Sequence, residues 1–225
     1  MNEQAVTGRP VRRQEIQIGV TGRSLAGILS LPETPRGIVV FAHGSGSSRL
    51  SPRNQAVARR LEVDRFATLL MDLLEPAEER DRSYVFDVEL LARRLLAATE
   101  WLAAEPATRL LPVGYFGAST GAAAALIAAA RQGERVRAVV SRGGRPDLAG
   151  PWLPAVVSPT LLIVGGADHQ VIELNQAALA ELRCVKQLVI IPGAGHLFEE
   201  PGALERVADL AADWFAGHLP APPRA

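Results

Sequence analysis

Apolar positions along the chain fall into short runs, and longer segments of helical periodicity separate them. Glu15–Val20 (EIQIGV) and Leu25–Leu31 (LAGILSL) read as two neighbouring strands, an antiparallel pair, and Pro32 and Pro35 punctuate the turn that follows. Six further runs are Gly37–Ala42, Ala67–Leu73, Val113–Phe116, Val136–Ser141, Thr160–Val164 and Gln187–Ile191. They are rich in Val, Ile and Leu and apolar at both parities. That pattern suits strands covered on both faces, as in a parallel sheet. Between them, Val85–Ala104 carries apolar residues at Val88, Leu91, Leu95, Leu96 and Leu102, with charges on the other side. Ala122–Arg131 is almost entirely Ala and Leu and predicts a buried helix, while Glu173–Leu182 and Leu204–Phe215 are amphipathic. The resulting order, β-β-β-α-β-α-β-α-β-β-α-β-α, predicts an α/β sandwich. It consists of a mostly parallel eight-stranded sheet with helices on both faces. Residues 1–13 and 220–225 read as loose tails around one domain, 14–219. In such a sheet ligands bind beyond the C-terminal strand ends, so chemistry is sought just after each strand.

Composition narrows the function classes. Twenty-four Lys and Arg balance twenty-four Asp and Glu, which argues against nucleic acid as the main partner. The basic charge is nearly all arginine, and Lys186 is the single lysine. One cysteine, Cys184, leaves no intramolecular disulfide and no Cys-rich zinc site, and it is expected in the core. No apolar run approaches the ~20 residues that span a bilayer. Met1–Arg13 lacks the apolar stretch of a secretory signal. The expectation is a soluble cytoplasmic protein, monomeric or homodimeric, with no membrane or nucleic-acid partner.

The strand Val113–Phe116 runs into Gly117-Ala118-Ser119-Thr120-Gly121 and then at once into the Ala-rich helix. A serine on so sharp a strand–turn–helix junction has close neighbours, and glycines two residues away on either side remove Cβ atoms that would clash. The turn lifts the hydroxyl over the sheet, with a helix N-terminus beneath it. Such a serine needs a base, since a free hydroxyl is a poor nucleophile at neutral pH. His196, in Pro192-Gly193-Ala194-Gly195-His196, follows the last strand. The base needs an acid to orient it, and Asp168, in Gly165-Gly166-Ala167-Asp168, follows another strand. The N–H groups of Thr120 and of Ser45, with Gly44 as the neighbouring candidate, would form an oxyanion hole from the glycine-rich stretch His43–Ser48.

Other residues at the same edge compete for roles. Asp147 is the rival acid, and Asp72 reads as a structural turn residue. His43 is expected to fix the oxyanion loop by hydrogen bonds and is also a candidate substrate contact. His169 and His218 read as surface residues. Arg142, Arg145 and Arg53 are candidate contacts for an acidic substrate, with salt bridges as the alternative. Glu199 and Glu200 would cap the last helix or pair with those arginines. About fifteen residues, Arg142 to Val157, lie between the sixth and seventh strands, too few for a large lid domain. That predicts an open, shallow site suited to short-chain esters.

The stretches His43–Ser48 (HGSGSS), Gly114–Leu126 (GYFGASTGAAAAL), Leu161–Asp168 (LLIVGGAD) and Pro192–Gly202 (PGAGHLFEEPG) resemble the dienelactone hydrolase branch of the α/β-hydrolases, over Arg36 to Phe215. The resemblance implies an α/β-hydrolase fold, Ser119 as nucleophile, Asp168 as acid and His196 as base, with no metal and no organic cofactor. One residue departs from the pattern, because dienelactone hydrolases proper use a cysteine nucleophile. The implied activity is therefore hydrolysis of small carboxylic esters. Lactone or thioester hydrolysis and acyl transfer on the same triad are alternatives, and a non-catalytic binding protein is a further one. Similar proteins are sometimes joined to phosphoribosyltransferase domains, and none is expected within these 225 residues. A phosphate-binding loop, G-x-x-x-x-G-K-[ST], does not occur.

Overall fold

The computed structural model describes residues 10–219. Strand β1 (Val11–Val20) and strand β2 (Arg23–Pro32) form an antiparallel hairpin. Its two-residue turn, Thr21-Gly22, has positive φ at both positions, the geometry that matches the twist of the paired strands. Val11–Arg13 pair with Pro32–Ser30, so three residues expected in a tail belong to the sheet. They read as a tail because β1 is an edge strand whose first residues are exposed and charged. The remainder of the expected tails, 1–9 and 220–225, lies outside the described residues.

The other strands are β3 (Gly37–Ala42), β4 (Phe66–Met71), β5 (Val113–Ala118), β6 (Val136–Arg142), β7 (Thr160–Gly165) and β8 (Lys186–Ile191). Among the described residues they make one eight-stranded sheet in the order β1-β2-β4-β3-β5-β6-β7-β8. β2 meets β4 antiparallel, and every pairing from β4 to β8 is parallel. All six residues of β3, β4 and β7 are buried, which explains their unbroken apolar composition.

The helices are α1 (Pro52–Val63), the single turn α2 (Arg82–Val85), α3 (Val88–Ala104), α4 (Thr120–Gln132), α5 (His169–Glu181) and α6 (Ala203–His218). Alternate strand residues feed two separate cores. Ile38, Val40, Leu69 and Val139 pack with α3, α4 and α5 on one face. Val39, Phe41, Phe116, Val140 and Ile163 pack with α1 and α6 on the other. Helix α4 is buried throughout Thr120–Ala129, and its run of alanines keeps it close to the sheet. Between β6 and β7 the chain makes only short 3₁₀ turns over Pro146–Ala155, broken at Gly150. Ala149 and Leu153 tuck these turns into the first core, so no lid domain rises there.

One charge departs from the expected amphipathic pattern. Arg94, on α3, faces inward and is 5 % exposed. Its two terminal nitrogens bond both carboxylate oxygens of Glu78, at 2.6 and 2.7 Å, and it also donates to the Leu73 carbonyl at 2.6 Å. Those bonds satisfy a guanidinium that the helical pattern alone would place in solvent.

Candidate active site

Ser119 sits between β5 and α4 at φ 50°, ψ −123°, a conformation that costs a non-glycine residue roughly 1–3 kcal/mol. The surroundings enforce it. Its N–H donates to the Arg142 carbonyl at 3.4 Å, and its carbonyl accepts from the N–H groups of Ala122 and Arg145 at 3.1 and 3.0 Å. The flanking glycines are steric requirements. A Cβ on Gly117 would lie 2.5 Å from the Ala122 Cα, and one on Gly121 would lie 2.2 Å from the Ala42 carbonyl oxygen. The expected reason for the G-x-S-x-G spacing therefore holds at both ends.

Two further glycines bring Asp168 and His196 together. A Cβ on Gly165, the last residue of β7, would lie 2.3 Å from the Ala194 carbonyl oxygen, so the chain after β8 can cross directly over the end of β7. The crossing is fixed by Gly166 N–H to the Ile191 carbonyl at 2.8 Å and by Ala167 N–H to the Ala194 carbonyl at 2.9 Å. His196 Nδ1 thereby meets Asp168 Oδ2 at 2.7 Å. Asp168 holds the N-cap position of α5, yet its side chain makes no capping bond and turns to the imidazole instead. With Nδ1–H donated to a carboxylate, the lone pair of Nε2 is left for a substrate-side proton. Asp147, the rival acid, is engaged elsewhere, because both its oxygens accept from Arg145 at 2.9 and 2.8 Å.

Ser119 and His196 border the same stretch, Arg142–Arg145, at the end of β6. Ser119 N–H bonds the Arg142 carbonyl, and a Cβ on Gly143 would lie 3.0 Å from the His196 carbonyl oxygen and 3.6 Å from its Nδ1. The Ser119 hydroxyl is not hydrogen-bonded to His196 in this structure. Such contacts are commonly long in free enzymes and tighten when substrate binds.

The glycine-rich loop after β3 lies against the same serine. A Cβ on Gly44 would be 2.8 Å from the Ser119 Cβ. Among the described residues neither the Ser45 N–H nor that of Thr120, the first residue of α4, is used in a hydrogen bond, so both could receive an anion. Thr120 Oγ1 is buried and also has no hydrogen-bond partner. Thr120 lines a small cleft under the loop, shared with Leu74, Glu79, Val85 and Leu91. Those four residues come from the segment after β4, from α2 and from α3, and no motif in the sequence marks them.

His43 is buried, and both of its ring nitrogens are engaged within the protein, the arrangement expected of a residue that fixes the oxyanion loop. It is 5 % exposed, its Nδ1–H donates to the Gly44 carbonyl and its Nε2 accepts from the Leu73 N–H, both at 2.9 Å. This pair of bonds requires the neutral ring, and burial lowers its pKa below the usual histidine value. Asp72 accepts from the Arg49 backbone N–H at 2.7 Å and pairs with the Arg49 guanidinium, in keeping with a turn role.

The arginines divide. Arg145 is taken by Asp147, the salt-bridge alternative. Arg53 pairs with Glu199 at 3.2 Å, across from α1 to the loop that carries His196. Glu200 accepts from the Gly195 N–H at 2.9 Å. Arg142 is 7 % exposed, has no carboxylate partner among the described residues and lies under the Phe198 ring, 5.9 Å from its centroid. His169 is exposed, whereas His218 is half-buried beside Trp214, their ring centroids 4.4 Å apart. Cys184 is half-buried at the margin of the first core and not within it, with Sγ 3.7 Å from Thr160 Oγ1, and burial raises its pKa. Among the described residues no three His, Cys, Asp or Glu side chains are placed to hold a metal ion, and no helix is long and apolar enough to cross a membrane.

Comparison with known proteins places this geometry among relatives. Residues 19–210 match the model of the alpha/beta hydrolase family. A crystal structure of a dienelactone hydrolase from Anabaena variabilis is 56 % identical, with a TM-score of 0.91 over 93 % of this chain and 99 % of that one. Est1E from Butyrivibrio proteoclasticus, at 16 % identity and a TM-score of 0.77 over 90 % of this chain and 98 % of that one, shares the fold. A Mycobacterium tuberculosis protein named "Putative phosphoribosyl transferase" is 62 % identical over 97 % of this chain. That match covers 49 % of the relative, so the chain spans about half the length of this curated protein.

Proposed function

The chain belongs to the alpha/beta hydrolase family, and on that premise we propose that it hydrolyses small carboxylic esters with Ser119, His196 and Asp168 as its catalytic triad. The observation that carries the reading is the 2.7 Å bond from His196 Nδ1 to Asp168 Oδ2 beside a serine held at positive φ. His196 Nε2 takes the Ser119 proton as the hydroxyl oxygen attacks the ester carbonyl. The tetrahedral oxyanion is received by the free N–H groups of Thr120 and Ser45. Asp168 stabilises the imidazolium. The C–O bond to the alcohol then breaks, His196 returns the proton to the leaving oxygen, and water cleaves the acyl-enzyme by the same route. His43 contributes by keeping the Gly44 carbonyl turned inward, which fixes the direction of the next N–H.

A lactone is a cyclic ester and passes through the same steps. The 56 % identical relative is named a dienelactone hydrolase, which supports including lactones in the substrate range. The short turns between β6 and β7 support an open site that favours short acyl chains.

The deciding experiment is turnover of 4-nitrophenyl acetate, a lactone panel and 4-nitrophenyl palmitate by the purified protein and by Ser119→Ala. Removing the nucleophile lowers kcat by ~10⁴–10⁶, as in serine protease triads. Acetate is turned over faster than palmitate. A fluorophosphonate probe labels the wild type at Ser119 and leaves the variant unlabelled. Retention of most activity in Ser119→Ala, or labelling at another residue, would overturn the assignment.

A further inference from the structure

Asn175 lies on the buried side of α5 with Val171 and Ala178 and is fully buried, 0 % exposed. Its Nδ2 donates twice, to the Val171 carbonyl of its own helix at 2.8 Å and to the Gly144 carbonyl at 3.0 Å. Its Oδ1 is buried and has no hydrogen-bond partner among the described residues. A buried acceptor left unpaired is destabilising, and an apolar side chain would carry no such penalty. The bond to Val171 does not account for the amide, because a carbonyl inside an α-helix already accepts from the N–H four residues on. The bond to Gly144 is what the polar side chain adds.

Gly144 belongs to the stretch Arg142–Arg145, which grips Ser119 from both ends. The Arg142 carbonyl accepts the Ser119 N–H at 3.4 Å, and the Arg145 N–H donates to the Ser119 carbonyl at 3.0 Å. The middle of the stretch passes His196, since a Cβ on Gly143 would lie 3.0 Å from the His196 carbonyl oxygen. Gly143 N–H is fixed to the Ile163 carbonyl of β7 at 2.8 Å. Gly144 is clamped by packing on its other side: a Cβ there would lie 2.0 Å from Ser141 Oγ and 2.5 Å from the Ala122 Cβ of α4. Asn175 completes the clamp from α5. Asp168, the N-cap of that helix, stands about two turns before Asn175 and so near the same face. One helix thus presents both the carboxylate that meets His196 and the amide that holds the backbone under Ser119.

We propose that Asn175 is a positioning residue for the proposed triad: by holding the Gly144 carbonyl it keeps Arg142–Arg145, and Ser119 with it, in register with the Asp168–His196 pair. The proposal rests on the triad reading given above. Asn175 touches no reacting atom and acts through the Gly144 peptide. Its unpaired Oδ1 is the local cost of that bond, of the kind that persists where a site needs it.

The test separates geometry from stability. Asn175→Thr is close in size and keeps a hydroxyl for the Val171 carbonyl, but its shorter side chain does not reach Gly144. Asn175→Asp keeps the shape, and its ionised carboxylate cannot donate. Rates on 4-nitrophenyl acetate are divided by the number of sites that a fluorophosphonate labels at saturation, so unfolded molecules do not count. In both variants kcat per site falls ~100-fold, the effect of misplacing a reacting group by about 1 Å, while KM stays within ~3-fold of wild type. The rate at which the probe labels Ser119 falls in parallel. Ser141→Ala is the control, because the Ser141 hydroxyl lies against Gly144 without a hydrogen-bond partner; its kcat per site stays within ~3-fold. A lower melting temperature in Asn175→Thr with kcat per site and labelling rate at wild-type values would show a merely structural residue and overturn the proposal. An equal loss in Ser141→Ala would overturn it too. If the wild type is labelled at Ser119 but turns over no ester, the esterase reading fails, and the ratio of labelling rates between wild type and Asn175→Thr still decides the role of Asn175.

Discussion

Placing a methyl group on Gly44 tests how closely the oxyanion loop and the nucleophile are packed. The new Cβ would stand 2.8 Å from the Ser119 Cβ and 3.1 Å from the Ala118 carbonyl oxygen. Carbon atoms rest comfortably at ~3.5–4.0 Å, so loop and serine must separate by about 1 Å. Neither side yields freely. The loop is pinned by His43, bonded to the Gly44 carbonyl and to the Leu73 N–H, and the serine is pinned by three backbone bonds. Misplacing a reacting group by about 1 Å costs ~10²-fold in rate, and overpacking of this kind costs ~1–3 kcal/mol in stability. Gly44→Ala is therefore expected to lose ~100-fold in kcat on 4-nitrophenyl acetate and several degrees of melting temperature by circular dichroism. Gly46→Ala in the same loop is the control. No atom lies within 4 Å of its Cβ position, but its φ of +67° is unfavourable for alanine by ~1 kcal/mol or somewhat more. It should lose stability to a similar degree and change kcat by less than ~3-fold. Equal activity in the two variants would show that the contact at Gly44 does not set the geometry of the nucleophile.

Asp168→Asn should lower kcat by ~10⁴, by analogy with serine proteases, because an amide can donate to Nδ1 and select the wrong imidazole tautomer, while Asp147→Asn stays within ~3-fold on the same ester assay. Glu78→Gln should destabilise by ~3–5 kcal/mol at pH 7, measured by urea unfolding, because it strands the buried Arg94 charge. The Arg94 bonds lower the Glu78 pKa, so the wild type owes this pair stability that is full above the usual carboxylate range and lost as pH falls below it; the gap between wild type and Glu78→Gln should accordingly narrow from pH 7 to pH 4. Ser119→Gly relieves the positive-φ strain that Ser119→Ala retains, so the glycine variant should melt at least as high as the alanine variant despite its more flexible unfolded chain, with both inactive.

What could be read from the sequence, and what could not, follows from how far each cause lies along the chain. The elbow around Ser119 is local: Gly117 and Gly121 are needed by atoms within a few residues or on the adjacent strand, so a five-residue pattern carries it. Asp168 and His196 are read from strand ends, and the glycines beside them form the crossing point of two loops. Arg94 is hidden from a pattern reading because its partner, Glu78, sits in an irregular segment that no periodicity describes. Arg142 and Arg145 occupy one short stretch, SRGGR, and differ only in where β6 ends: Arg142 is its last residue and turns to the α1 face, while Arg145 lies beyond it and finds Asp147. A shift of one residue in that boundary would exchange the faces, and boundaries are what sequence patterns locate least well.

The two cores divide the labour of holding the proposed triad. Ser119 is presented by α4, which belongs to the first core, and Asp168 heads α5, which leans on the same core through Ala178. His196 is carried by a loop anchored in the second core through Ala194 and the fully buried Phe198. Phe198 itself is held at φ 55°, so a residue of positive φ lies two positions after His196, as Ser119 itself is held at φ 50°. The sheet between them is common to both anchors. Relative motion of the layers would change the Ser119–His196 separation while leaving the Asp168–His196 bond to follow the loop crossing at Gly165, since that crossing is made by backbone bonds. The geometry of the proposed triad is thus carried by β5, β6 and β7, which are hydrogen-bonded side by side.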